Sequence, residues 1–487
     1  MKINTNLNTF KKKHKSKINQ VIFHEAACKN NKIIENIINN FLLKKNSFIF
    51  ESVEKRRIRG RYTIIGADPD KIWEFKKKKI YLIQNNKTKV IKNKPYPFLK
   101  KIIENFSFEL PKNVPPISTL LVGYFSYDII RYIEKIPNKC LDDLKIPDIR
   151  LMRPKTLIIH DNLLKKIYFI NNCFNDEKIK NYSKYYFNLI KNIFYLKNLT
   201  FNYDPLKKRT INKNQKINIK SNISKKTFKN NVIKAKNYIK KGDIFQVVLS
   251  QRFETKLNKS PLEIYKKLRI TNPSPFMFFF NFKDFQIIGS SPEILVRLRK
   301  NKITIRPIAG TRPRGANSKK DLFYKKQLLR DKKELSEHLM LLDLGRNDVG
   351  KVSKIKSVKV TEKFKIEKYS HVMHIVSNVE GDFDNKHSLL DTMLSGFPAG
   401  TVTGAPKIRA MEIIDELEKN KRKMYAGSIG YFSANKSFDT CIALRTALIK
   451  DKKFYIQSGA GIVADSVPEK EYLETINKAK ALITSLN

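Results

Sequence analysis

The stretch Arg306-Pro307-Ile308-Ala309-Gly310-Thr311-Arg312-Pro313-Arg314-Gly315 sets the reading of this chain. Two prolines and two glycines in ten residues exclude a helix interior and predict a stiff loop at a strand end. Gly310 lets backbone N–H groups approach an anion with no Cβ in the way, and Thr311 adds a hydroxyl. Arg312 and Arg314 add positive charge close by. Such a loop suits a small carboxylated ligand; an ordinary basic turn has the same composition.

Upstream of it, Gln286 to Leu298 (QIIGSSPEILVRL) and "DIFQVVLSQRF" read as strands. The second follows a helix that Ser224 can cap, with Phe228, Val232, Ala235 and Ile239 at helical spacing before Gly242 ends it. Downstream, helices are expected over Asp331 to Leu344 and Pro468 to Leu486, the last with Tyr472, Ile476, Ala479 and Ile483 as its inward stripe. Further upstream, residues 20 to 170 are mostly strand-like, clearest in Ser47 to Glu54, Gly60 to Pro69 and Leu120 to Asp128. Residues 177–195 have the pattern of a helix, and 197–222 that of a lysine- and asparagine-rich linker. The expected division is a mobile basic extension (1–18), an N-terminal domain (19–170), a helix and linker (171–222) and a C-terminal domain (223–487). Strands and helices mix without strict alternation, which favours α+β over a doubly wound sheet.

The chain of 487 residues carries 98 Lys and Arg against 45 Asp and Glu, a formal net charge of +53. That charge invites a nucleic-acid reading. The lysines are spread along the whole chain among many Asn, Ile, Phe and Tyr, and no RNP, zinc-finger or helix-turn-helix spacing accompanies them. Compositional drift accounts for such a spread, so no specific nucleic-acid partner is expected, only sticking at low salt. Cys28, Cys140, Cys173 and Cys441 are far apart, which disfavours a zinc ribbon or disulfide scaffold and fits a reducing cytoplasm. No apolar h-region follows the basic run Lys11 to Lys17, and no window approaches the roughly 18 apolar residues of a membrane span. A soluble cytoplasmic protein is expected.

Two helices carry carboxylates at i, i+3: Glu334 with Glu337, and Glu471 with Glu474. Two such faces meeting make an oxygen-rich pocket suited to Mg²⁺; singly, each is an ordinary solvated face. In Gln457 to Val463 (QSGAGIV), Gly459 and Gly461 either bare backbone amides to an anion or make a tight turn. Ser395 to Lys407 (SGFPAGTVTGAPK) leads into a helix near Pro406. His371 and His374 lie three apart without a third ligand nearby, so one of them better fits an acid/base or hydrogen-bonding role. A P-loop, a dinucleotide fingerprint, a nucleophile elbow and a Cys-His-Glu amidotransferase signature are all missing from the sequence.

"GDIFQVVLSQRF", "SSPEIL", "RPIAGTRPRG", "SEHLMLLDLGRND", "GTVTGAPK", "YAGSIGYF", "DTCIALRTA" and "QSGAGIVADSVPEKEYLET" stand here in the order found in chorismate-utilising enzymes. Within that family the chain most resembles the large subunits (component I) of anthranilate synthase. The core likeness covers about 224 to 485, and Glu51-Ser52, "GRYTIIGADP" and "GYFSYD" extend it into the N-terminal half. The resemblance implies a sandwich of two large antiparallel sheets flanked by helices, with the site in a cleft. It also implies conversion of chorismate and ammonia to anthranilate and pyruvate with Mg²⁺, the first committed step of tryptophan biosynthesis.

Carried over by that resemblance, Glu337 and Glu474 are metal ligands, with Glu334 and Glu471 holding metal-bound waters. Gly310, Thr311, Tyr425, Arg445, Gly459, Ala460 and Gly461 contact substrate, Arg445 facing the enolpyruvyl carboxylate. Glu293 protonates the departing ring hydroxyl, and His374 and Thr401 lie near the reacting ring. Aminodeoxychorismate synthase, the alternative, typically has a nucleophilic lysine where Ala309 stands. Isochorismate and salicylate synthases have a water-activating lysine where Gln246 stands, and a neutral amide accommodates ammonia instead. Ser52 with Glu51, and Pro275, Phe276 and Met277 opposite, match the two sides of a tryptophan pocket for feedback inhibition. Ile49-Phe50 replace a frequent Leu-Leu there. No cysteine sits in a glutamine-hydrolysing motif, so the resemblance implies a partner amidotransferase subunit (component II) in a heterotetramer.

Overall fold

The computed structural model describes residues 2–28, 32–52, 60–201, 218–369 and 372–486. Among these, 22 strands pair into one connected network, and the ladders that join the two halves of the chain are antiparallel. Alternation along the strands splits their side chains between two cores. Phe48 and Phe50 point into one and Ile49 into the other; Phe278 and Phe280 part in the same way from Met277 and Phe279. The first core is mainly strand against strand, the interior of a folded-over sheet. The second is closed by helices Lys32–Phe41, Tyr182–Phe201, Pro261–Thr271 and Pro468–Ile483, through Ile37, Leu189, Leu268 and Leu482. The fold is thus α+β, a large antiparallel sheet flanked by helices.

The N-terminal half is woven into the sheet. Strand Ser47–Glu51 lies between Tyr62–Lys76 and Phe276–Asn281, with Glu51 opposite Met277. Strand Leu120–Phe125 pairs with Ser428–Ser433.

Several elements depart from the sequence reading. Residues 1–18, expected to be a mobile extension, contain helix Leu7–Lys15, capped by Asn6. Its Phe10 is fully buried against Tyr182, Tyr185 and Tyr186. One aromatic residue, with buried His14 a turn later, anchors a segment whose composition otherwise reads as solvated. The helix placed at 177–195 runs Tyr182–Phe201, and most of the linker, 202–217, falls outside the described residues. Gln286 to Leu298 is two strands, Gln286–Ser291 and Ile294–Arg299, because Pro292 cannot donate to a ladder. The decapeptide at 306–315 is not a free loop. Ile308–Pro313 is a strand paired with Val372–Asp382, and the register shifts between Ala309 and Thr311, where Gly310 has φ +69°. Helix Lys332–Gly350 continues past Leu344, since Gly345 stays helical.

Candidate active site

Helix Lys332–Gly350 starts from Asp331, whose carboxylate caps the N–H groups of Lys333 and Glu334. Glu334 and Glu337 follow one turn apart, and helix Pro468–Ile483 brings Glu471 and Glu474 toward them. Burial first, then the charge of Glu334, and more weakly that of Glu474, push the Glu337 carboxyl above its ordinary range. Burial and Glu474 do the same to Glu471. Carboxylates on two distant helices therefore share one volume. Among the described residues no three Asp, Glu, His or Cys side chains are drawn together tightly enough to chelate an ion. Mg²⁺ keeps several waters and takes only one or two carboxylates, so this all-oxygen set with crowded negative charge fits it.

The glycine run lies on strand Lys453–Ile462, where Gly461 pairs with Val248 and Gly459 with Ser250 of strand Gln246–Lys256. A Cβ at Gly461 would stand 2.6 Å from Gln246 Nε2, and one at Gly459 2.6 Å from the Tyr425 hydroxyl. These two glycines bare the backbone beside two site residues, and Ala460 between them is buried. The Gln246 side chain donates from Nε2 to Glu337 Oε1 (3.3 Å), and its buried Oε1 has no partner among the described residues.

The bulge at Gly310 points the same way, since a Cβ there would lie 3.2 Å from Glu334 Oε2. Its carbonyl accepts from His374 Nδ1 (3.1 Å), and Thr311 Oγ1 is 3.0 Å from the same nitrogen. A carbonyl only accepts, so Nδ1 carries the proton and Nε2 keeps its lone pair. Burial lowers the His374 pKa to about 4, leaving the ring neutral at pH 7. Glu293 follows the kink at Pro292, and Thr401 Oγ1 donates to its Oε1 (3.0 Å). Burial raises this carboxyl to about 8, against the opposing hydrogen bonds from Thr401 and the Ile308 N–H. Glu293 is thus a protonated acid at neutral pH. Arg445 sits at φ +45°, its guanidinium pKa lowered by withdrawal from water against a weaker opposing effect of the Tyr369 phenol. No carboxylate answers it among the described residues.

The structure also corrects expectations. Arg312 and Arg314 are not free for a ligand. Arg312 is bound to Glu334 (2.9 Å) and Asp331 (2.7 Å), and Arg314 to Asp321 (2.7 Å). His371 lies outside the described residues. Lys478, which the sequence reading passed over, is in the site: Nζ contacts Glu474 (2.6 Å) and donates to the Gly459 carbonyl (3.0 Å). Its signal was present as an i, i+4 Glu–Lys pair on the helix that carries Glu471 and Glu474.

Away from this cleft, Glu51 accepts from Tyr265 and Arg269. Ser52, next in the chain, keeps its hydroxyl unpartnered among the described residues. Met277 lies directly across the ladder from Glu51, and Pro275 and Phe276 lead into that strand.

Comparison with known proteins decides what this arrangement belongs to. The chorismate binding enzyme family matches residues 45–484. The anthranilate synthase component 1 of Cereibacter sphaeroides is 44% identical over 484 residues, 98% of this chain and 96% of that protein. That of Acetivibrio thermocellus is 45% identical, covering 90% of each. The chain belongs to the anthranilate synthase component 1 family of chorismate binding enzymes. A solved family member, anthranilate synthase component I from Streptococcus pneumoniae, superposes with a TM-score of 0.78 at 35% identity, covering 88% of this chain and 93% of that one. The menaquinone-specific isochorismate synthase of Escherichia coli shares the fold alone, with a TM-score of 0.71 at 18% identity over 99% of both chains.

Proposed function

We propose that this chain is the synthase subunit of an anthranilate synthase, joining chorismate and ammonia and releasing anthranilate and pyruvate. The observation that carries the reading is the pairing of a half-buried cation, Arg445, that no carboxylate answers among the described residues, with a buried neutral acid, Glu293, around a glycine-bared strand. Arg445 binds the enolpyruvyl carboxylate bidentately. Glu293 gives its proton to the ring hydroxyl as it leaves. The free Oε1 of Gln246 accepts an N–H of ammonia, and the lone pair of His374 Nε2 takes up a proton during pyruvate loss. Tyr425 and the amides of Gly459 to Gly461 hold the ring, with Gly310 and Thr311 opposite. Glu337 and Glu474 would hold Mg²⁺, with Glu334 and Glu471 on its waters. Bound there, the ion supplies Lewis-acid polarisation of the ring carboxylate.

Ala309 offers no amine for covalent addition, which separates this site from the aminodeoxychorismate synthase alternative. Relatives named component 1 support a second component, an amidotransferase that releases ammonia from glutamine, in a heterotetramer. The orphan Ser52 hydroxyl beside the Pro275–Met277 strand entry supports a tryptophan pocket in the 19–170 domain. We place the complex in the cytoplasm; among the described residues no helix is long and apolar enough to cross a membrane. Chorismate with ammonium and Mg²⁺ should yield anthranilate fluorescence. Its absence, in protein that binds chorismate, would reject the reading.

A further inference from the structure

Behind Glu293 lies a second space. A chamber of about 30 Å³ is lined by Glu293, Thr401, Leu341, Leu344, Gly345 and Asp348, among others. Of the residues assigned to the reacting ring, only Glu293 and Thr401 reach it; Gly310, Arg445, Tyr425 and the glycine strand do not. Leu341, Leu344, Gly345 and Asp348 fall on the face of helix Lys332–Gly350 that continues from Glu337. Glu293 and Thr401 make one end polar, and Asp348 the other, with apolar walls between. Asp348, itself only 3% exposed, is bound to Lys407 (2.8 Å) and to Lys351 (3.1 Å).

A space of this size holds about two water molecules, since one needs roughly 10–15 Å³ on the same measure. Glu293 is 5% exposed, so little of its carboxyl faces open solvent. The space beside Glu293 and Thr401 is then the nearest room for the oxygen that Glu293 protonates.

We propose that this chamber is a water site that receives the hydroxyl expelled from the ring. The inference rests on the reaction proposed above. In that step the ring carbon–oxygen bond breaks with its electron pair on oxygen, and the proton of Glu293 completes a water molecule. Ammonia supplies the electron pair of the new carbon–nitrogen bond. The proton that the added nitrogen sheds restores the Glu293 carboxyl.

Two substitutions fill the chamber. A Cβ at Gly345 meets Ile305, Val379 and Pro307 at 3.6–3.9 Å, ordinary contact, so Gly345→Ala fits without strain and favours the helix. Leu344→Phe carries a ring into the same space. Each full-length variant is assayed with chorismate, Mg²⁺ and varied ammonium, alongside its melting temperature. The expected result is a kcat at least fivefold lower for Leu344→Phe and twofold lower for Gly345→Ala, with KM for ammonium unchanged and no lower melting temperature. An unchanged kcat in both overturns the proposal. So does a raised KM for ammonium at unchanged kcat, which would make the chamber an entrance for ammonia. Crystals of the unaltered protein give a check independent of variant folding: ordered water between Glu293 and Asp348 is expected, and a dry chamber overturns the proposal. A wild-type chain that makes no anthranilate defeats the parent reading instead.

Discussion

Two guanidiniums stand in the same half of the chain, Arg422 buried and Arg445 half-buried, and their surroundings are opposite in kind. Arg422, 1% exposed, donates to Glu418 and to the carbonyls of Val248 (2.6 Å) and Val402 (2.8 Å). It lies over the rings of Tyr127 and Tyr425. Its neighbours are equally well answered. Lys423 lies between Asp142 and Asp148, and Arg131 between Asp128 and Asp415. This network ties the N-terminal half to strand Gln246–Lys256 and to the turn that carries Thr401. Among the described residues, Arg445 has a phenol beside it and no carboxylate. A charge withdrawn from water without its partner costs stability, which marks Arg445 as a candidate position for a ligand carboxylate.

Exchanging the two cations breaks or sharpens that contrast. Arg445→Met should lower kcat/KM for chorismate about a thousandfold, the kinetic equivalent of about 4 kcal/mol, while the melting temperature holds or rises. Arg422→Met should do the reverse first: denaturant melts should show a loss of about 3–5 kcal/mol, because Glu418 is stranded in the interior. A comparable stability loss in both variants would erase the distinction.

Glu293→Gln should cost about 10²–10⁴ in kcat. The acid form that donates exists below its folded value of about 8. After correction for ammonia supply, wild-type activity should therefore fall above pH 8. The same shift has a stability consequence. The native carboxyl, raised from 4.5 to about 8, holds its proton where the unfolded one has lost it, so stability declines as pH rises through that window. Chemical melts at pH 6 and pH 9 should show Glu293→Gln gaining on wild type at the higher pH. A constant difference would deny the buried neutral acid.

Smaller effects probe specificity and control. Gln246→Lys and Ala309→Lys should each reduce anthranilate output by about tenfold in a product assay; undiminished output from both would undo the sorting against sister enzymes. Ser52→Ala should raise the half-inhibitory tryptophan concentration several-fold, as one hydrogen bond is worth about 1 kcal/mol. Rates that ignore saturating tryptophan would remove the pocket altogether.

The acidic side of the cleft was legible because i, i+3 spacing survives folding: Glu334 with Glu337 and Glu471 with Glu474 need only their helices. Ordered motifs supplied the family, since "GTVTGAPK" and "QSGAGIV" carry their glycines wherever the chain takes them. What the sequence hid was long-range pairing. Arg312 and Arg314 read as ligand cations until their partners Asp331, Glu334 and Asp321 were in place. Phe10 could not be read as an anchor without the tyrosines of a helix some 170 residues later. The bulge at Gly310 became visible only against strand Val372–Asp382.

Strand Leu120–Phe125, paired on one side with Ile149–Asp161, waits for Ser428–Ser433 on the other. At ribosomal speeds of about 5–20 residues per second, the intervening three hundred or so residues take on the order of 15–60 s to make. Throughout that interval a fully apolar ribbon stands unzipped on the nascent polypeptide, a template for pairing with a neighbour. Recombinant yield should then depend on the pace of translation and on holdase chaperones more than on the melting point of the finished protein.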